Sequence, residues 1–259
     1  MYSNKTNYIM KKIFLLLLVT FSQITLAQKV NYVLLSTDFI EAVKAKNSKV
    51  ASIITTLEQA DESELINQLN SDEKKKTFFI NVYNAFTNNA LRKNPALYND
   101  RNKFFKDEQF NIAGNKISLD IIEHGFLRKS SVKLSLGKLK KIFPSKLEKK
   151  FRVNTVDYRI HFALNCGAKS CPPVDVYQLE TLDKQLENNK IAYLKKNSKF
   201  DKTKNELYVT PLMSWFRGDF GNLDGVEKII KDIKIIPQDV NPTLKFNDYD
   251  WTIDTNNFK

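Results

Sequence analysis

Cysteine, histidine, tryptophan and glycine are scarce in this chain of 259 residues, at two, two, two and seven copies. Two cysteines cannot staple a small disulfide fold, nor supply a four-thiolate zinc centre. With so little glycine there is no glycine-rich phosphate loop, and none of the usual nucleotide-binding patterns occurs. Long apolar runs are also missing beyond the N-terminal segment, so nothing else offers the roughly 20 apolar residues of a membrane span. No composition shift, repeat or low-complexity stretch marks a second domain. What remains is ordinary globular composition, 42% hydrophobic and 27% charged.

At the N-terminus, Lys11 and Lys12 precede the apolar run Ile13 to Val19, and the small residues Thr25 and Ala27 follow. A basic start, a short apolar core and a small-residue exit predict a secretory signal peptide over 1–27. Residues 28–259 then form one globular domain of an exported protein, periplasmic or extracellular. Met1 and Met10 are both candidate starts. Residues 1–27 hold Lys5, Lys11 and Lys12 and no acid, so without them the net charge falls from +12 to +9. The remaining lysines are dispersed along the chain, and no nucleic-acid motif accompanies them. Nucleic acid is therefore not an expected partner. The basic surface is expected to meet anionic envelope polymers or lipid headgroups, or to serve solubility.

Apolar spacing predicts helix over much of 36–70. Asn70 and Ser71 followed by Asp72 and Glu73 form a helix start, with the stop at Asn94-Pro95. Phe110 to Ile117 reads as a hairpin around Ala113-Gly114-Asn115, and Ser118 as the cap of a helix reaching Arg128. The lysine-rich stretch 133–151 reads as a solvated helix or loop broken at Pro144. Arg159 to Leu164 has strand composition, and Asn165 to Pro173 is irregular. A helix over about 179–196, a strand over 206–210 and a helix over 226–236 complete an α+β, helix-rich domain with a small sheet and a central cleft.

Chemistry is carried by polar residues in apolar surroundings. Asn81, Asn84 and Asn88 share one helix face. They either tie loops to the helix or place an orienter or oxyanion donor at a cleft wall. His124 lies between Glu123 and Gly125, and His161 in the expected strand. Cys166 and Cys171 flank Gly167-Ala168-Lys169-Ser170. In an exported protein they form a disulfide, or Cys166 is a thiol activated by a histidine and Lys169. The spacing is a poor match to a metal site, so neither metal nor cofactor is expected. Arg217 and Asp219 lie in an aromatic segment that is either a recognition loop or an anchored turn.

Several segments together resemble the family called domain of unknown function 547. These are Ile80-Asn81-Val82-Tyr83-Asn84-Ala85, the stretch from Ile117 through Glu123-His124-Gly125 to Arg128, and the run from Arg159 through Cys166 and Cys171 to Pro173. Trp215 to Phe220 and Tyr249-Asp250-Trp251 are similar to its C-terminal markers, so the resemblance spans about 65–252. The chain departs from the family at Asp157-Tyr158-Arg159, where an aspartate-proline-arginine entry is common. The resemblance carries no activity with it. It implies that Asn81, Asn84, Glu123, His124, Arg128, His161, Cys166 and Cys171 belong to one pattern.

That inventory leads to an expectation of a cysteine-dependent hydrolase or acyl transferase acting on a peptide- or amide-type substrate. Cys166 is the nucleophile, His124 or His161 the base, and Glu123 or Asn84 the orienter. Asn81, Arg128, Lys169 and Arg217 bind substrate, Arg128 holding a carboxylate. The alternative is a non-enzymatic binding module for a small or peptide-like ligand, with Cys166–Cys171 a structural disulfide. Titration of free thiol in the unreduced protein separates the two.

Overall fold

Most of the described helices begin where a short polar side chain can cap them. The computed structural model describes residues 29–259. The expected signal peptide and the choice between Met1 and Met10 lie outside the described residues. Within the unit Asn31–Lys259, Asn31 caps α1 (Tyr32–Lys44) by accepting from the Leu34 N–H. The helical stretch expected after it resolves into α2 (Lys49–Glu58) and α3 (Glu62–Gln68), the latter capped by Asp61.

Next, Ser71 caps α4 (Asp72–Lys93), with Asp72 and Glu73 at its positive end and Arg92 and Lys93 at its negative end. From Thr77 to Asn88 every residue of α4 is buried, which makes it the core helix rather than a surface one. Phe86 meets Phe39 of α1 edge-on at 5.2 Å. On another side it stacks on Phe110 at 4.3 Å. A 3-10 turn over Pro95–Asp100 leads into α5 (Arg101–Lys106).

Phe110 opens the expected hairpin, β1 (Phe110–Ile112) paired antiparallel with β2 (Asn115–Ile117). Ala113 and Gly114 connect the strands, both at positive φ, as a tight two-residue turn requires. Ser118 then accepts from the Ile121 N–H. The helix it opens, Ile121–Leu127, is a π-helix rather than an α-helix. The Arg128 N–H therefore reaches Glu123 O at 2.9 Å, one residue further back than an α-helix allows. Gly125 makes room for the packing here, because a Cβ would lie 2.9 Å from Ile121 Cγ1 and 3.1 Å from Glu148 Cγ. The lysine-rich stretch is a loop followed by α6 (Lys146–Phe151), which opens after Pro144 on a reciprocal Ser145–Glu148 cap.

Arg159 to Leu164 is not a strand. Asp157 accepts from the Arg159 N–H and starts a 3-10 helix over Tyr158–Phe162. Ile160, His161 and Phe162 are buried in succession, so the two-sided alternation expected of a strand has no counterpart. After the irregular segment comes α7 (Leu182–Asn197). A three-stranded sheet follows, ordered β3 (Lys199–Asp201), β4 (Glu206–Val209), β5 (Thr243–Phe246), antiparallel then parallel. The short α8 (Leu212–Trp215) and the longer α9 (Asn222–Asp232) lie between β4 and β5. Phe162, Leu194, Leu207, Met213 and Ile230 share one core, which anchors the histidine segment to the sheet layer. The unit is α+β and helix-rich. Among the described residues no helix is long and apolar enough to cross a membrane.

Candidate functional site

Two cavities of comparable size open on the surface. One, about 730 Å³, borders Val43, Arg92 and residues 253–256 and is lined by no histidine or cysteine. Arg92 there already donates to Val43 O and Thr255 O. The other, about 680 Å³, gathers Tyr83 from α4, Glu123 and His124 from the π-helix, His161, Cys166 and Pro172. Its remaining walls are aromatic and aliphatic, with Trp215, Phe216, Tyr249 and Trp251 on one side and Phe105 and Leu134 at other positions. This is the central cleft.

Behind it lies a buried polar network, in which Arg128 Nη2 alone of the guanidinium nitrogens has no partner. Arg128, fully buried, donates from Nε to Asp219 Oδ2 at 2.6 Å and from Nη1 to His124 Nδ1 at 2.9 Å. His161 Nε2 meets the same Asp219 oxygen at 2.9 Å. The Phe216 ring stacks on His161 at 4.0 Å and lies under the Arg128 guanidinium at 4.6 Å. These partners fix the tautomers. Arginine can only donate, so His124 Nδ1 is an acceptor; the Asp219 carboxylate accepts, so His161 Nε2 carries a proton. Burial, reinforced by the Arg128 charge, pulls His124 down to about 3. Burial also lowers His161, against the pull of Asp219. Burial works against the Asp219 carboxylate, yet His161 and Arg128 hold it at about 2. At neutral pH the site contains an anion, a guanidinium and two neutral imidazoles.

Glu123 stands apart from this network. Its Oε1 lies 3.5 Å from His124 Nδ1, but that nitrogen's lone pair is already used by Arg128, so no proton lies between them. Oε2 receives one long hydrogen bond from the Tyr83 hydroxyl, at 3.5 Å. Neighbouring Asp120, by contrast, is neutralised by Lys133, with contacts of 2.7 and 2.8 Å. Glu123 is thus a cleft-wall carboxylate with little to satisfy it.

Several expected site residues are placed elsewhere. Cys166 and Cys171 are joined, with Sγ atoms 2.10 Å apart, so Cys166 is not a thiolate nucleophile in this state. Asn81 uses both ends of its amide on the Tyr177 backbone, at 2.8 and 3.0 Å. Asn84 likewise holds Ala163 O and the Asn165 N–H, at 2.9 and 2.8 Å. Asn88 donates back to Asn84 O. Asn81 and Asn84 tie the helix to its loops, Asn88 bonds only within the helix, and none of the three lines the cleft. Arg128 is fully buried against Asp219 and does not line the cleft. Lys169 is exposed and 3.5 Å from Asp250. Arg217 folds back onto Ser214. His124, His161, Glu123 and Cys166 do converge on the cleft. The roles of Tyr83, Asp219, Tyr249 and Trp251 were not foreseen; their one sequence signal is membership of the aromatic and tyrosine-bearing motifs.

Residues 66–194 match the family model described as Protein of unknown function, DUF547. Over this segment the chain is similar to that family. The DUF547 match covers α4, the π-helix and the cysteine loop, and it ends before Trp215, Asp219, Tyr249 and Trp251. No curated protein and no solved structure gives a significant match. The cleft is therefore built partly from residues beyond the matched segment.

Proposed function

We propose that the protein is an exported binding module whose cleft takes a small or peptide-like ligand carrying a cationic amine or guanidinium. The underpaired Glu123 carboxylate carries this reading. Both nearby imidazoles are neutral, so neither competes for its charge. The aromatic wall offers cation–π contact beside it, and Arg101 already lies over Trp251 at 4.8 Å. Export is supported by the pattern of residues 11–27 and fits a disulfide-bonded chain. A cysteine-dependent hydrolase or acyl transferase would need Cys166 as a thiolate, which the bond to Cys171 removes.

Trp215 and Trp251 are the only two tryptophans, and both line the cleft, so intrinsic fluorescence reports its occupancy. Titration with arginine amide or lysine amide should give a saturable, salt-sensitive change. Glu123→Gln should weaken it by roughly tenfold or more, the loss of one hydrogen bond to a charged group. An equal response to a neutral amide of the same size, or no saturable response to either cation, would remove the basis of the reading.

A further inference from the structure

The two sulfurs of the disulfide are not equivalent. Cys171 Sγ is the buried one and accepts from three donors, the Cys166 N–H at 3.0 Å, the Ala168 N–H at 3.3 Å and the Tyr249 hydroxyl at 3.3 Å. Cys166 has only the same hydroxyl, at 3.5 Å from its Sγ, and it lines the cleft. The backbone turn that aims the two N–H groups passes through Gly167, whose φ is +81° and where a Cβ would collide with Leu91. Burial pushes the Tyr249 phenol up, so it stays protonated and remains a donor. Exchange is fastest where the attacked sulfur is reachable and the leaving sulfur is stabilised as a thiolate.

We infer that Cys166–Cys171 is a directional thiol–disulfide exchange site for a low-molecular-weight thiol entering the cleft. The thiol gives its proton to solvent, and the resulting thiolate attacks Cys166 Sγ. A new S–S bond forms there, the Cys166–Cys171 bond breaks, and the electron pair leaves on Cys171 Sγ under its three donors. The protein's own disulfide is the oxidant, and no other co-reactant takes part.

The test treats the unreduced full chain with 2-mercaptoethanol, a neutral thiol that keeps the result separate from the cation reading of Glu123. Early samples are acid-quenched, alkylated and mapped by peptide mass. The adduct should sit on Cys166 and the alkyl group on Cys171, at a rate roughly tenfold or more above that of oxidised glutathione with the same thiol. Tyr249→Phe should slow the step by roughly three- to tenfold without moving the adduct. An adduct shared between the sulfurs or sitting on Cys171, a rate no faster than oxidised glutathione, or an unchanged rate in Tyr249→Phe would overturn the assignment. The mapping on the native chain stands even where the variant folds poorly.

An independent surface feature sits on the cleft rim. Leu134, Leu139, Ile142 and Phe143 are 89%, 61%, 86% and 91% exposed. Residues 133–146 also carry Lys133, Lys138, Lys140, Lys141 and Lys146 and no acid. Lys138 and Lys146 are exposed and lack ion-pair partners among the described residues. Large apolar side chains grouped in water mark an interaction surface, and interspersed lysines match an anionic one. We propose that this loop docks on an anionic lipid surface, Ile142 and Phe143 entering the headgroup boundary while the lysines meet phosphates. The chain should co-sediment with vesicles of equal parts phosphatidylglycerol and phosphatidylcholine, and weakly with phosphatidylcholine alone. Ile142→Ser with Phe143→Ser should cut that binding by roughly tenfold or more. The variant retains residues 1–27, so any contribution from that apolar run cancels. Equal binding by the variant, no preference for the anionic vesicles, or a wild-type dimer by light scattering that the variant abolishes would sink the proposal.

Discussion

Glu123 and Arg128 belong to one helical segment, yet their charges are treated in opposite ways. Arg128 is enclosed by Asp219, His124 and the Phe216 ring, while Glu123 faces the cleft with one long bond from Tyr83. The first arrangement fixes structure, since the charge is met inside the chain and only the buried Nη2 is left without a partner. The second leaves a charge for something outside the chain. A polar residue amid apolar ones is therefore ambiguous until its partners are counted, and the count separates the scaffold from the site.

Removing Arg128 should have the largest effect. Arg128→Ala leaves Asp219 charged and buried with one neutral partner, and should cost about 3–5 kcal/mol in urea unfolding. Adding Asp219→Asn should cost much less than a second independent loss. Asn84→Ala should cost about 2–3 kcal/mol, because the Asn165 N–H and Ala163 O lose their partner inside the core. Hydrogen exchange at the Asn165 amide should rise with it.

Acid should act next. His124 titrates at about 3 in the folded chain, against about 6.5 when unfolded. Below 6.5 the unfolded chain binds the extra proton, so stability is full above that pH and declines towards 3. By pH 5 the loss from His124 should reach about 2 kcal/mol. His124→Gln should flatten that slope in melting curves recorded between pH 7 and 5. Smallest of all, Glu123→Gln should shift stability by no more than about 0.5 kcal/mol. A loss above about 2 kcal/mol would place Glu123 in the scaffold and erase the contrast with Arg128.

Much of the scaffold was legible because its signals are local. Ser71 with Asp72 and Glu73, the stop at Asn94-Pro95 and the Ala113-Gly114 turn each act within a few residues. The segment Arg159 to Leu164 was not, because a short apolar run fits a strand and a tight helix equally well; the Asp157 cap decided it. The cleft was legible in membership, as His124, His161, Glu123 and Cys166 do meet there. Their roles were not, because the deciding partners are remote: Asp219 is 91 positions from Arg128 and 58 from His161. The three asparagines show the converse, sharing a face as their spacing requires while Asn81 and Asn84 hold loops and Asn88 its own helix.

The segment around Tyr249 has a further consequence, for the order of folding. Residues 250–257 run back over the cysteine loop, with Lys169 N–H on Thr252 O, Asp254 N–H on Gly167 O and Val174 N–H on Asn257 O. Tyr249 bridges 78 positions to reach Cys171. Loop closures of that length carry an entropic cost that local contacts do not, and contacts so distant in sequence tend to slow folding. The asparagine-laced helix and hairpin can form early, but the aromatic wall is complete only when this segment returns. A fragment ending at residue 194 would keep the segment that matches the family and lose both tryptophans of the cleft.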